Sequence, residues 1–177
     1  VAGFSVDQDS WDYNAVADLS FLGEGETITF SYDVVATDDS GATNDTSDPV
    51  TVTVTLTGSN DRPTLTINDG SADFNEALDA SAQTLTDSGT LSFGDLDDTD
   101  VVTVSQTSNG DIAWSGGAID AGLASTLVAG FSVDQDSWDY SATANLDFLR
   151  VGETITFSYN VVATDDSGAA NNTSVAE

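Results

Sequence analysis

The chain has no cysteine, histidine, methionine or lysine, and Arg62 and Arg150 are its only basic residues. Without cysteine there are no disulfides and no thiol chemistry, so the redox compartment is left unwritten. Without histidine, cysteine or lysine, the Ser-His-Asp and Cys-His arrangements, most zinc sites and Schiff-base chemistry are excluded. The shortage of positive charge argues against nucleic acid as a partner, because duplex binding relies on lysine and arginine neutralising phosphates. It also disfavours anionic membrane surfaces. No apolar run approaches the roughly 18 residues of a membrane span, so no membrane insertion is expected. No stretch reads as a signal peptide. With no methionine even at position 1, the sequence reads as an excerpt from a longer chain, in which no export signal is expected.

What is present is acid. The 177 residues carry 31 aspartates and glutamates and a formal net charge of -29. Self-repulsion of this size opposes a compact state unless cations or salt screen it. Bound divalent metal and a saline habitat are the two readings that follow. A hydrophobic fraction of 39% is nevertheless enough for a packed core, which argues against general disorder. The length suits one or two domains.

Residues 1–47 return as residues 128–174, an offset of 127, with only nine positions different. A period longer than about 50 residues points to tandem whole domains rather than to a solenoid of small units. In "ETITFSYDVVAT", Ile28, Phe30, Tyr32 and Val34 alternate with Thr27, Thr29, Ser31 and Asp33, which is the period of a half-buried strand. "PVTVTVTLTG" repeats the pattern with Val50, Val52, Val54 and Leu56. Shorter strands are expected at "PTLTI", "TLSF", "VVTVSQ", "DIAWS" and "GFSVDQ" with its copy, separated by turns in "TDDSG", "GSNDRP" and "SNGD". Many short strands between such turns predict an all-β antiparallel sandwich. A single short helix is expected at most, at "YNAVADLSFL" or its copy "YSATANLDFL".

Four pieces in combination carry a resemblance: "GTLSFGDLDDTD" at residues 89–100, the tryptophan and tyrosine of residues 138–140, "LDFLRVGETITFSYNVVATDDSG" at residues 146–168, and a threonine-rich strand closing on "TGSNDRP" at residues 50–63. Together they resemble the VCBS-type repeat, a cadherin-like sandwich of very large bacterial RTX adhesins. The resemblance covers essentially the whole chain. It implies a cadherin-like or immunoglobulin-like Greek-key sandwich in tandem repeats, type I secretion, and location at the bacterial cell surface. The implied role is that of a non-catalytic extender serving cell adhesion and biofilm formation, with neighbouring repeats of the same chain as partners and Ca2+ as the stiffening ion.

Calcium takes six to eight oxygens, largely from carboxylates and carbonyls. Candidates are Asn60 and Asp61 in "GSNDRP", Asp95, Asp97 and Asp100 in "DLDDTD", and Asp38 and Asp39 in "TDDSG" with their copies Asp165 and Asp166. The alternative for each aspartate is a solvated turn residue. Neither the EF-hand pattern nor the glycine-rich RTX nonapeptide occurs. The "DSG" triplets at Asp39, Asp87 and Asp166 echo the aspartic protease loop, but two follow strands as ordinary polar turns and the third, at Asp87, sits in "LTDSGTLSF" before another strand, and the chain is expected not to be an enzyme. Two rival functions stand beside the extender. One is a calcium-dependent carbohydrate- or surface-binding module using Trp11, Trp114 and Trp138; the other is a salt-adapted acidic sandwich without specific metal sites. The tryptophans are expected in the core, and an exposed one would favour sugar binding.

On this phasing, residues 1–62 form the rear half of one repeat with its last strand, and residues 63–177 form the next repeat without its last strand. The alternative unit is 48–174. Because residues 1–47 and 128–174 are nearly interchangeable, either could complete 63–127, so a strand-exchanged homodimer is expected. "GSNDR" spans only about 16 to 18 Å, which makes any such exchange intermolecular.

Overall fold

The computed structural model describes residues 3–177. Strands dominate, every pairing is antiparallel, and one short helix is present among the described residues. The chain divides into two compact units, the first comprising residues up to Asn60 with Asp97–Thr99, the second Asp61–Leu96 with Asp100–Glu177.

The first unit holds two hairpins. β1 (Phe4–Val6) pairs with β2 (Trp11–Tyr13), and β3 (Thr27–Val34) pairs along its whole length with β4 (Val50–Thr57). Rings hold them: Phe4 stacks on Tyr32 at 4.1 Å and Tyr13 meets Phe30 at 5.3 Å. Among the described residues, Leu22 is the only large hydrophobic side chain of this unit that is buried. Two-stranded ribbons cannot enclose a core by themselves.

The second unit is where a core forms. β5 (Thr64–Asn68), β6 (Gln83–Gly94), β10 (Ser137–Ala144) and β9 (Phe131–Val133) make one sheet in the order β5-β6-β10-β9. β7 (Thr103–Ser108) pairs with β12 (Tyr159–Thr164), and β8 (Ala113–Trp114) with β11 (Ile155–Thr156). Leu65 and Leu91 from the four-stranded sheet pack with Val161 and Ala163 from β12, so the sheets face each other as in a sandwich. A second cluster gathers Leu85, Trp138, Tyr140, Ala142, Ala144 and Leu127. Period-2 alternation along β10 sends Trp138, Tyr140, Ala142 and Ala144 inward.

The helix lies elsewhere than expected. α1 (Ala121–Val128) starts at Asp120, whose side chain accepts from the Leu123 N–H at 3.0 Å, a standard N-cap. Its last carbonyls are met by two phenols: Tyr140 donates to Leu127 at 3.0 Å and Tyr159 to Val128 at 2.7 Å. In "YSATANLDFL", where a helical turn is expected, "YSATA" is instead the end of β10, held by β6, and the remainder makes one tight turn in which the Leu149 N–H donates to the Leu146 carbonyl at 2.9 Å, short of a helix. Asp87, expected just before a strand, lies inside β6 opposite Tyr140.

Nearly identical segments take different forms in the two units. "TITFSYDV" is one continuous strand, β3, whereas "TITFSYNV" at residues 154–161 is interrupted between β11 and β12. The interruption sits at Ser158, whose N–H and hydroxyl donate to Asp111 at 2.9 and 2.7 Å, while its carbonyl accepts from the Asn109 N–H at 3.0 Å. β2 likewise has three residues where β10, its sequence copy, has eight. β10 lies against β6, and no strand of β6 type occurs in the first unit among the described residues.

Candidate metal centre

Asp95 follows β6, Asp100 precedes β7, and Asp165 follows β12. Thr103 lies opposite Thr164 in the β7–β12 ladder, which brings the approach to β7 and the exit from β12 to the same end. One carboxylate oxygen from each of the three aspartates lies within 4.8 Å of the others. Asp165 is 4% exposed, and the Oδ2 atoms of Asp95 and Asp100 are shielded from solvent.

The frame around them is local hydrogen bonding. Asp165 accepts at Oδ1 from the N–H and hydroxyl of Ser167, an Asx-type turn, and its own N–H donates to the Asn172 carbonyl at 2.9 Å. The Val101 N–H donates to Asp166 Oδ1 at 2.8 Å, tying the β7 entrance to the "TDDSG" loop. When all three carboxylates are ionised, each pair repels by roughly 3 kcal/mol at an effective dielectric near 20. A cation between them turns this repulsion into attraction. The donor set is all oxygen, which fits a hard cation such as Ca2+ and not a soft one. Three carboxylates fall short of calcium's six to eight ligands, so a bound calcium would need carbonyls, second carboxylate oxygens or water to complete its shell.

The remaining sequence candidates are placed differently. Asn60 and Asp97, 7% and 2% exposed, both belong to the first unit, and the Asn60 N–H donates to Glu24 Oε2 at 3.2 Å. Asp61 is half-buried in the second unit. Asp166 is exposed, with Val101 on its carboxylate. Asp38 and Asp39, the sequence copies of Asp165 and Asp166, are exposed. The Ser40 hydroxyl, aided by the Ser40 N–H, holds the Asp38 carboxyl below its ordinary pKa. The "TDDSG" turn is thus the same in both units, but only the second unit supplies Asp95 and Asp100, the ends of "DLDDTD", for Asp165 to join. That segment occurs once in the sequence, and this single occurrence is the signal that could have separated Asp165 from Asp38.

The tryptophans divide too. Trp138 is 3% exposed and donates from Nε1 to the Asp69 carbonyl at 3.0 Å. Trp114 is half-buried and perpendicular to the ring of Phe148, with centroids 4.9 Å apart. Trp11 is 49% exposed, contrary to the expectation that all three are core. Its exposure has a packing cause: Trp138 lies over Gly89 of β6, and the first unit has no such strand among its described residues.

No helix among the described residues is long and apolar enough to cross a membrane. The chain matches no family model, no curated protein and no solved structure.

Proposed function

We propose that the chain is a non-catalytic structural extender from a secreted bacterial cell-surface adhesin, built of tandem cadherin-like Greek-key sandwich repeats and stiffened by Ca2+. The observation that carries this reading is the near-identity of residues 1–47 and 128–174, joined to an acidic triad at the strand ends of the unit that has a core. A segment copied with only nine changes serves reach and repetition better than a unique binding surface. The acidic surface keeps neighbouring repeats soluble and mutually repelling, which favours an extended array. Calcium at Asp95, Asp100 and Asp165 would clamp the ends of β6, β7 and β12, restraining the loops that leave the sheets. The exposed ring of Trp11 does not lead to a sugar-binding reading, because the lack of a β6-type neighbour among the described residues of its unit accounts for its exposure.

The test is thermal unfolding in chelator, in millimolar calcium, and in sodium chloride of matched ionic strength. A ligand that binds only the folded state raises the melting temperature with its concentration. Calcium alone is expected to raise it, Asp165→Asn to abolish most of the rise, and Asp38→Asn to leave it intact. Equal stabilisation by sodium chloride in all three proteins would assign the acid to a salt-screened surface and refute the metal centre.

A further inference from the structure

Asp48 and Pro49 form the only Asp-Pro pair in the sequence, and the first unit holds the bond between them in a bulge. The β3–β4 ladder reaches Val34 opposite Val50, and beyond it the Ser47 N–H donates to the Ala36 carbonyl at 2.8 Å. Between these two pairings stands one residue on the β3 side, Val35, and two on the β4 side, Asp48 and Pro49, all of them exposed. Two residues opposing one is a β-bulge, a place that tolerates proline's missing N–H. A second bond clamps the Ser47 side, where Ser47 Oγ accepts from the Ala36 N–H at 3.0 Å. The same hydroxyl donates at 3.0 Å to the Asp48 carbonyl, which is the carbonyl of the bond to Pro49.

An aspartyl side chain has two ways to close a five-membered ring on its own main chain. Attack of the following amide nitrogen on the side-chain carboxyl gives a succinimide, and Pro49 forbids it because it has no N–H. Attack of the carboxylate on its own carbonyl carbon gives a cyclic anhydride, and this route needs a good leaving group and a stabilised oxyanion. Pro49 supplies the first, since its departing nitrogen is a secondary amine that takes up a proton readily. Ser47 supplies the second, a donor already aimed at the oxygen on which negative charge develops. The Ala36 N–H on Ser47 Oγ polarises the hydroxyl and strengthens that donor.

We propose that the Asp48–Pro49 peptide bond is a self-cleavage site, with the Asp48 carboxylate as nucleophile and the Ser47 hydroxyl as oxyanion donor. A side-chain oxygen bonds to the Asp48 carbonyl carbon, the C–N bond to Pro49 breaks, and the nitrogen takes a proton from solvent. Water then opens the anhydride, leaving Asp48 with two carboxyl groups and Pro49 with a free amine. The sum is hydrolysis of one peptide bond. The second unit repeats the frame without the reactive pair: Ser174 Oγ accepts from the Ala163 N–H at 3.0 Å and donates to the Val175 carbonyl at 2.9 Å, but Val175 and Ala176 stand where Asp48 and Pro49 do. Cleavage places β3 and β4 on separate fragments that only their ladder still joins. A two-stranded ribbon is marginal by itself, so the fragments part once the ladder opens. The site depends neither on calcium nor on the extender role.

The full chain is incubated at about pH 5, where folded proteins are commonly stable, and in parallel in urea, and is followed by mass spectrometry under denaturing conditions. Residues 1–48 and 49–177 are the expected products, together heavier than the parent by one water. Cleavage in the folded chain is expected to run about tenfold or more faster than in urea. Ser47→Ala lowers it to the rate in urea, whereas Ser47→Thr, which keeps the hydroxyl, retains it, with circular dichroism checking that each variant is folded. Asp48→Ala abolishes the cut. Pro49→Ala restores the N–H and diverts Asp48 to the succinimide, seen as the loss of one water from an uncut chain. Absence of the two products, equal rates in the folded chain and in urea, a rate unchanged in folded Ser47→Ala, or a cut that survives Asp48→Ala overturns the proposal.

Discussion

Trp11 and Trp138 have identical neighbours on both sides in sequence and opposite environments, so the pair isolates the effect of packing on a single side chain. Their exposures, 49% and 3%, differ by 46% of the ring's surface. Taking about 250 Å² for a tryptophan and about 25 cal/mol per Å², this is about 115 Å² and about 3 kcal/mol of burial. Trp138→Ala also removes the hydrogen bond to Asp69 and leaves a cavity beside Phe131, so its total cost is about 3 to 5 kcal/mol. Trp11→Ala loses mainly its stacking on Phe4, at about 1 kcal/mol. With a urea slope of about 2 kcal/mol per molar, the two shifts differ by about 1.5 M. Urea titration followed by far-ultraviolet circular dichroism measures both, each variant against the parent chain. Equal shifts would refute the argument, because they would mean that the first unit encloses Trp11 as tightly as the second encloses Trp138.

Two further predictions concern the same core. A Cβ at Gly89 would stand 2.2 Å from Trp138 Nε1 and 2.6 Å from its Cε2, and the hydrogen bond to Asp69 prevents the ring from retreating. Gly89→Ala is therefore expected to cost about 1 to 3 kcal/mol in urea titration and to be partly rescued by Trp138→Phe, which has a smaller ring. Burial, followed by the neighbouring Tyr159, pushes the Tyr140 phenol from 10.0 up to about 12. Because the folded state holds this proton more tightly than the unfolded state, the contribution is fully present below pH 10.0 and is lost as pH rises toward about 12. Tyrosinate absorbance should show the late titration, and Tyr140→Phe should flatten the alkaline decline in stability.

Where one segment decides its own structure, the sequence was a sufficient guide. The valine–threonine alternation of β4 and the aromatic alternation of β3 point to strands, and strands form there. What escaped depends on residues far away in the chain. The break between β11 and β12 cannot be seen in "TITFSYNV", because its cause is Asn109 and Asp111 in a loop almost 50 residues upstream. The helix was hidden in "DAGLASTLV", where the N-cap Asp120 is a visible signal but alanine and glycine blur the apolar period. The candidate centre follows the same rule. Eight of the nine proposed ligands are aspartates in turn-like sequence, and only the ladder between β7 and β12 selects Asp165 to join Asp95 and Asp100. Composition points only to an excess of carboxylates, and topology decides which of them stand together.

The two phenols that meet the last carbonyls of α1 come from different sheets, Tyr140 from β10 and Tyr159 from β12. The end of the helix therefore acts as a rivet between two layers. Sliding one sheet over the other by a single residue would pull at least one phenol off its carbonyl, so the short helix resists shear although it adds little area of its own.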